Sequence, residues 1–190
     1  LAGCATSQAA TQTRPKTLSP GAAMTPGMIM PDGSTMGAAA PSASKAAQEK
    51  PSDSAAMVCA AETRSAIKTI LVIKQVPAGT ATYADHLFTC TYKLAMGPLI
   101  LSVKESPDRP STDSYYTALR QAFSNTENVD GLGEAAWGTK DGTVVLRKDN
   151  DVLRVDATGL PAEFGAQHSK RNDFAYEIAS NILGCWTGDE

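Results

Sequence analysis

Aromatic residues are scarce in this chain and missing from its first part. Eleven Phe, Tyr and Trp serve 190 residues, and the first of them is Tyr83. Residues 5–52 hold none and are rich in Ala, Ser, Thr, Pro, Gly, Gln and Met. Such a stretch buries too little apolar surface to offset the entropy of ordering it, which predicts a disordered tether. No run of 18 apolar residues exists, so no segment reads as a membrane-crossing helix. Charge is low too, at a net −3. Arg14, Lys16, Lys45 and Lys50 against Asp32 and Glu49 put residues 5–52 at +2, which leaves −5 for the rest. A mildly acidic domain argues against a nucleic-acid partner.

Motifs that carry chemistry are equally thin. His86 and His168 are the only histidines. Neither has a second His or a Cys at ligand spacing, and zinc needs three or four convergent ligands, so both read as surface residues. No serine sits in G-x-S-x-G, and no Cys–His arrangement suggests a nucleophile. Asp149, Asp151 and Asp156 lack the D-x-D-x-D-G pattern of a calcium loop and read as a turn and a solvated strand face. The run Gly131-Leu132-Gly133-Glu134-Ala135-Ala136 matches G-x-G-x-x-A. A dinucleotide site needs a strand before that run and a helix after it; here the order is reversed, so the glycines mark a turn. The chain is therefore expected to be no enzyme and to carry no cofactor.

What is present begins with Leu1-Ala2-Gly3-Cys4. An aliphatic residue, two small residues and a cysteine have the form of a lipobox, where a secretion signal is cut before a cysteine that carries a diacylglyceryl thioether. On that reading Cys4 is the lipidation site and the chain starts within the last residues of a signal. The domain plan is then 1–4 lipobox remnant, 5–52 tether and 53–190 globular domain. As a flexible coil the 48 tether residues span about 40 Å root-mean-square. Pulled taut they reach on the order of 160 Å. Met24, Met28, Met30 and Met36 within the tether are soft thioethers, and copper(I) is their alternative use.

From residue 53 the pattern changes. Ser52 or Ser54 caps a first helix whose face holds Cys59, Thr63, Ala66, Ile67 and Ile70. Residues 87–94 and 99–104 alternate as a hairpin around Ala95-Met96-Gly97-Pro98. Thr112 caps a second helix over 113–124, with Tyr116, Leu119 and Phe123 at helical spacing. Residues 135–139, 143–148 and 152–157 are three more strands, turned at Lys140-Asp141-Gly142 and Asp149-Asn150-Asp151. A third helix over 169–185 carries Phe174, Ile178, Ile182 and Cys185 inward. The fold class expected is α+β: about five largely antiparallel strands, with three helices mainly on one face.

Several short stretches carry a resemblance: Val58-Cys59-Ala60, Thr89-Cys90-Thr91-Tyr92, Gly97-Pro98-Leu99, the run from Gly131 to Ala136, Gly142-Thr143-Val144-Val145, and Ile178-Ala179-Ser180-Asn181-Ile182-Leu183. Over about 57–187 their order and spacing resemble a family of small actinobacterial lipoproteins of unknown function. The resemblance implies a PsbP-like α/β sandwich that is non-catalytic and has one cysteine pair, matched here by Cys59 and Cys90. Cys185 departs from that pattern. It faces inward beside Ile178 and Ile182, so Cys59–Cys185 is the rival bond. With Cys59 and Cys90 paired, Cys185 is expected as a buried thiol.

The function expected is a binding or adaptor module at the cell envelope, held to the outer face of the cytoplasmic membrane through Cys4. Its partner would be an envelope protein, a lipid or a cell-wall ligand, met by the polar sheet face or by loops 106–111 and 159–170.

Overall fold

The computed structural model describes residues 50–164 and 168–186. Among the described residues β1 (Thr80–Ala84), β2 (Leu87–Leu94), β3 (Gly97–Glu105), β4 (Glu127–Asn128), β5 (Ala135–Gly138), β6 (Thr143–Lys148) and β7 (Asp151–Asp156) form one sheet. The order across it is β1-β2-β3-β7-β6-β5-β4, and each neighbouring pair is antiparallel. A small hairpin, β8 (Glu163–Phe164) with β9 (Ser169–Lys170), stands apart. The sheet is thus antiparallel throughout, and it has seven strands rather than about five.

The added strands explain themselves locally. β1 holds only small residues and one Tyr, so its alternation is weak in sequence. It pairs with β2 through a two-residue turn, Asp85-His86, with both residues at positive φ (52° and 58°). That backbone matches the twist of a hairpin, and Asp and His tolerate it better than most residues. β4 has two residues, too few to show a period.

The first helix is broken. α1 (Asp53–Ala56) is capped by Ser52, whose side chain accepts from Ala55 N–H. A 3-10 turn follows over Met57–Cys59, and α2 (Ala61–Leu71) starts after the extended residue Ala60. Cys59 therefore sits in the tight turn, not on the helix it was expected to open. α3 (Arg109–Gln121) begins four residues before the expected position. Its cap is Asp108, accepting from Ser111 N–H at 2.9 Å, and Pro110 fits the first turn, where a missing N–H does no harm. Thr112 lies inside that helix. α4 (Arg171–Trp186) follows β9.

The sheet is covered on both faces, by α1, α2 and α4 on one and by α3 on the other, so among the described residues four helices stand where three were expected. The inner face presents Phe88, Cys90, Tyr92, Leu101, Val103, Leu146, Leu153 and Val155 to α1, α2 and α4, with Ile67, Phe174, Ile178 and Ile182 packed against them. The outer face carries a smaller core of Tyr116, Trp137, Val145 and Val152 under α3. The connection from β3 to the far edge strand β4 must run over one face of the sheet, and α3 is that connection. Consequently Thr143 through Leu146 are buried on both sides of β6.

Candidate functional site

α3 does not cover the whole outer face. It lies over the half made by β5, β6 and β7 and is clamped there by charge. Arg109 Nη1 meets Glu134 Oε2 at 2.6 Å, and its Nε meets Asp113 Oδ1 at 3.0 Å. Arg147 on β6 pairs with the same Asp113 carboxylate and lies over the Tyr116 ring at 5.6 Å. Arg154 on β7 stacks over Phe123 at 5.2 Å. Part of the polar face read from the sequence as a docking surface is thus spent on holding a helix. Its loop 106–111 is likewise half consumed by the start of α3.

The open half is β1, β2 and β3. Inward-facing Phe88, Cys90 and Tyr92 leave Thr89 and Thr91 facing out. The register sets Thr80 beside Thr91, Thr82 beside Thr89, and Ser102 on the other side of Thr89. Five hydroxyls stand on one face, each able to donate one hydrogen bond and accept others.

At one end of the sheet several ionisable groups gather. Glu105 Oε1 accepts from Ser52 N–H at 3.1 Å, and Oε2 accepts from the Tyr83 hydroxyl at 3.2 Å. Tyr83 Oη is 3.4 Å from His86 Nδ1. Asp151 is the cross-strand neighbour of Glu105. Burial, then the Glu105 and Asp149 charges, push its carboxyl up to about 6, while Lys148 acts the other way. The cluster ties the start of α1 to the sheet and holds an ionisable proton near neutral pH. Among the described residues no group of three or more His, Cys, Asp or Glu is arranged to hold a metal ion.

A cleft of about 200 Å³ opens at the opposite edge, between β4, the β5–β6 turn and the first turns of α4. Helical spacing brings Asn172, Asp173 and Tyr176 to its rim on one side. Glu127, Asn128, Thr139 and Lys140 face them. Glu127 and Lys140 form an exposed ion pair at 3.5 Å. Val129 and Val144 also line the cleft. Among the described residues Tyr176 is one of two large hydrophobic side chains left exposed, at 39%. A second cleft of about 300 Å³, lined by Arg120 and Glu134 among others, adjoins it through Asn128 and Val129. Sequence reading missed this site because its residues come from four elements and no two of them form a motif. Asn172, Asp173 and Tyr176 belong to the polar side of an amphipathic helix, which by itself marks no site.

The cysteines are the residues that the structure places most tellingly. Cys59 and Cys90 are disulfide-bonded, with Cα atoms 5.4 Å apart, and tie the 3-10 turn to β2. Beside them the Tyr92 hydroxyl, fully buried, donates to Val58 C=O at 2.8 Å. Burial pushes that phenol up to about 12, and the Arg64 charge offsets a part. The chain at Gly79 passes so close that a side chain there would meet both sulfurs. Cys185 is not the leftover thiol expected: it is disulfide-bonded, and among the described residues no cysteine is free. Its inward position beside Ile178 and Ile182 misled the sequence reading, because a buried cysteine is as fit to pair as to pack. Its helix turn lies against the chain entering α1, where Trp186 Nε1 donates to Ser54 C=O at 3.1 Å.

Other expected residues stay apart. His86 sits in the β1–β2 turn, and His168, exposed near Glu163, lies at the start of β9. Gly131 and Gly133 take positive φ in the turn before β5. Cys4 and the tether with Met24, Met28, Met30 and Met36 lie outside the described residues, apart from the tether's last residues from Lys50.

No protein-family model matches this chain. No curated protein matches it either. Among solved structures, a GTP-binding regulator from Thermotoga maritima is similar at 15% identity, over 65% of this chain and 90% of that one, with a TM-score of 0.36. A likeness that slight carries no argument about fold or function.

Proposed function

We propose that this protein is a non-catalytic binding or adaptor module of the cell envelope, lipid-anchored through Cys4 outside the cytoplasmic membrane. On this reading it belongs with the small actinobacterial lipoproteins that residues 57–187 resemble. The observation that carries the location is the Cys59–Cys90 disulfide. Bonds of this kind persist in oxidising compartments and are rare in the cytoplasm. A sheet with helices on both faces is in keeping with a PsbP-like sandwich. The open hydroxyl-rich half of the outer face is the surface left for an envelope protein, a lipid or a cell-wall ligand.

Anchoring requires that Cys4 carry acyl chains, and an acylated sulfur cannot also enter a disulfide. The deciding experiment is therefore fractionation of cells making the full precursor, together with non-reducing peptide mapping. Cys4→Ala should release the protein from membranes, since two or more acyl chains are what hold it. Unchanged membrane fractionation of that variant, or a mapped peptide joining Cys4 to Cys185, overturns the anchoring.

A further inference from the structure

The cleft at the β4 edge has a composition that selects among ligands. Two carboxamides, Asn128 and Asn172, offer donors and acceptors together, and two carboxylates, Glu127 and Asp173, offer acceptors alone. Lys140 is the one cation of the wall and already pairs with Glu127. The first turn of a helix ordinarily favours an anion. In α4 that place is taken by Asp173. A phosphate or carboxylate would meet more negative than positive charge here.

A neutral polyhydroxylated ring has the complementary chemistry. Adjacent hydroxyls present donor and acceptor side by side, which a carboxamide answers with both of its atoms and a carboxylate with two lone pairs. The C–H face of such a ring packs on an aromatic surface. Tyr176 supplies one, exposed at the rim and four residues from Asn172 on the same side of α4. The volume, about 200 Å³, lies below the range of drug-sized pockets, roughly 300–1,000 Å³, and suits a single ring.

We propose that this cleft binds a neutral sugar ring, with Asn172 and Asp173 holding hydroxyls and Tyr176 stacking on the ring face. Sugar binding here does not depend on how Cys4 is used. The site is shallow and open, so the affinity is weak, with a Kd of about 1 mM.

The test is saturation-transfer NMR on the full chain with glucose and N-acetylglucosamine, each beside its 6-phosphate. The neutral sugars should receive saturation at their ring protons and the phosphates much less. Tyr176→Ala should weaken binding about three- to tenfold, and Asn172→Ala should weaken it as well. Both residues are at the surface, so melting temperatures check that the variants stay folded. Transfer to neither sugar, transfer unchanged in both folded variants, or stronger transfer to the phosphates overturns the proposal.

Discussion

Replacing Asp151 by Asn should stabilise the protein at neutral pH and do almost nothing in acid. Asp151 faces Glu105 across β3 and β7, and Asp149 lies two residues before it. Its carboxyl is raised from 3.8 to about 6 in the folded protein. The folded state therefore binds this proton more tightly than the unfolded state does. Between those two values stability falls as pH rises, and above about 6 the charged side chain imposes its whole penalty. Taken at face value the difference is worth about 3 kcal/mol. Asp151 is only partly buried, so screening by solvent brings the figure to about 1–2 kcal/mol. Asn keeps the shape and removes the charge. Urea denaturation at about pH 7.5 and about pH 3, below both values, reads the effect as a shift in midpoint at constant slope. The midpoint of Asp151→Asn should exceed that of the parent at the higher pH and coincide with it at the lower. A gain that is the same at both values, or a loss at the higher one, would refute the reasoning.

Two further outcomes follow from the backbone and the cross-link. Cys90→Ser removes a bond closing a loop with a sequence separation of 31, which should lower stability by about 3–4 kcal/mol on the chain-entropy account, read as a fall in denaturant midpoint. Val72 ends α2 in the left-handed conformation, at φ 53°, while 88% exposed. Val72→Gly should therefore raise stability by about 0.5–1 kcal/mol, a few degrees in a thermal melt, because it relieves the Cβ clash and gives up no packing; a lower melting temperature contradicts this.

Much of the fold was legible because its cause is local. The β2–β3 hairpin, the return of β6 and the inward stripe of α4 follow from alternation, turn residues and helical spacing, all within a few residues of one another. Gly131 and Gly133 were readable as a turn for the same reason. The elements that were not legible are those whose local chemistry is weak. β1 is built of small residues and one Tyr, β4 of two residues, and the break between α1 and α2 falls at Met57-Val58-Cys59-Ala60, which holds no Gly or Pro to mark it. The start of α3 was misplaced because Thr112 and Asp108 are both good caps, and only the seating of Pro110 in the first turn separates them.

The arrangement in space was decided elsewhere. No pattern within α3 says which face of the sheet it covers; that follows from the crossing between β3 and the far edge strand β4. The same crossing makes β6 buried on both sides and leaves the hydroxyls of β1 to β3 open. The raised proton affinity of Asp151 depends on its burial and then on a carboxylate 46 residues earlier in the chain. The cleft at the β4 edge exists only when four elements converge. Patterns of hydrophobicity and turn chemistry act over a few residues, whereas pairing, proton affinity and concave shape depend on groups that only folding makes neighbours.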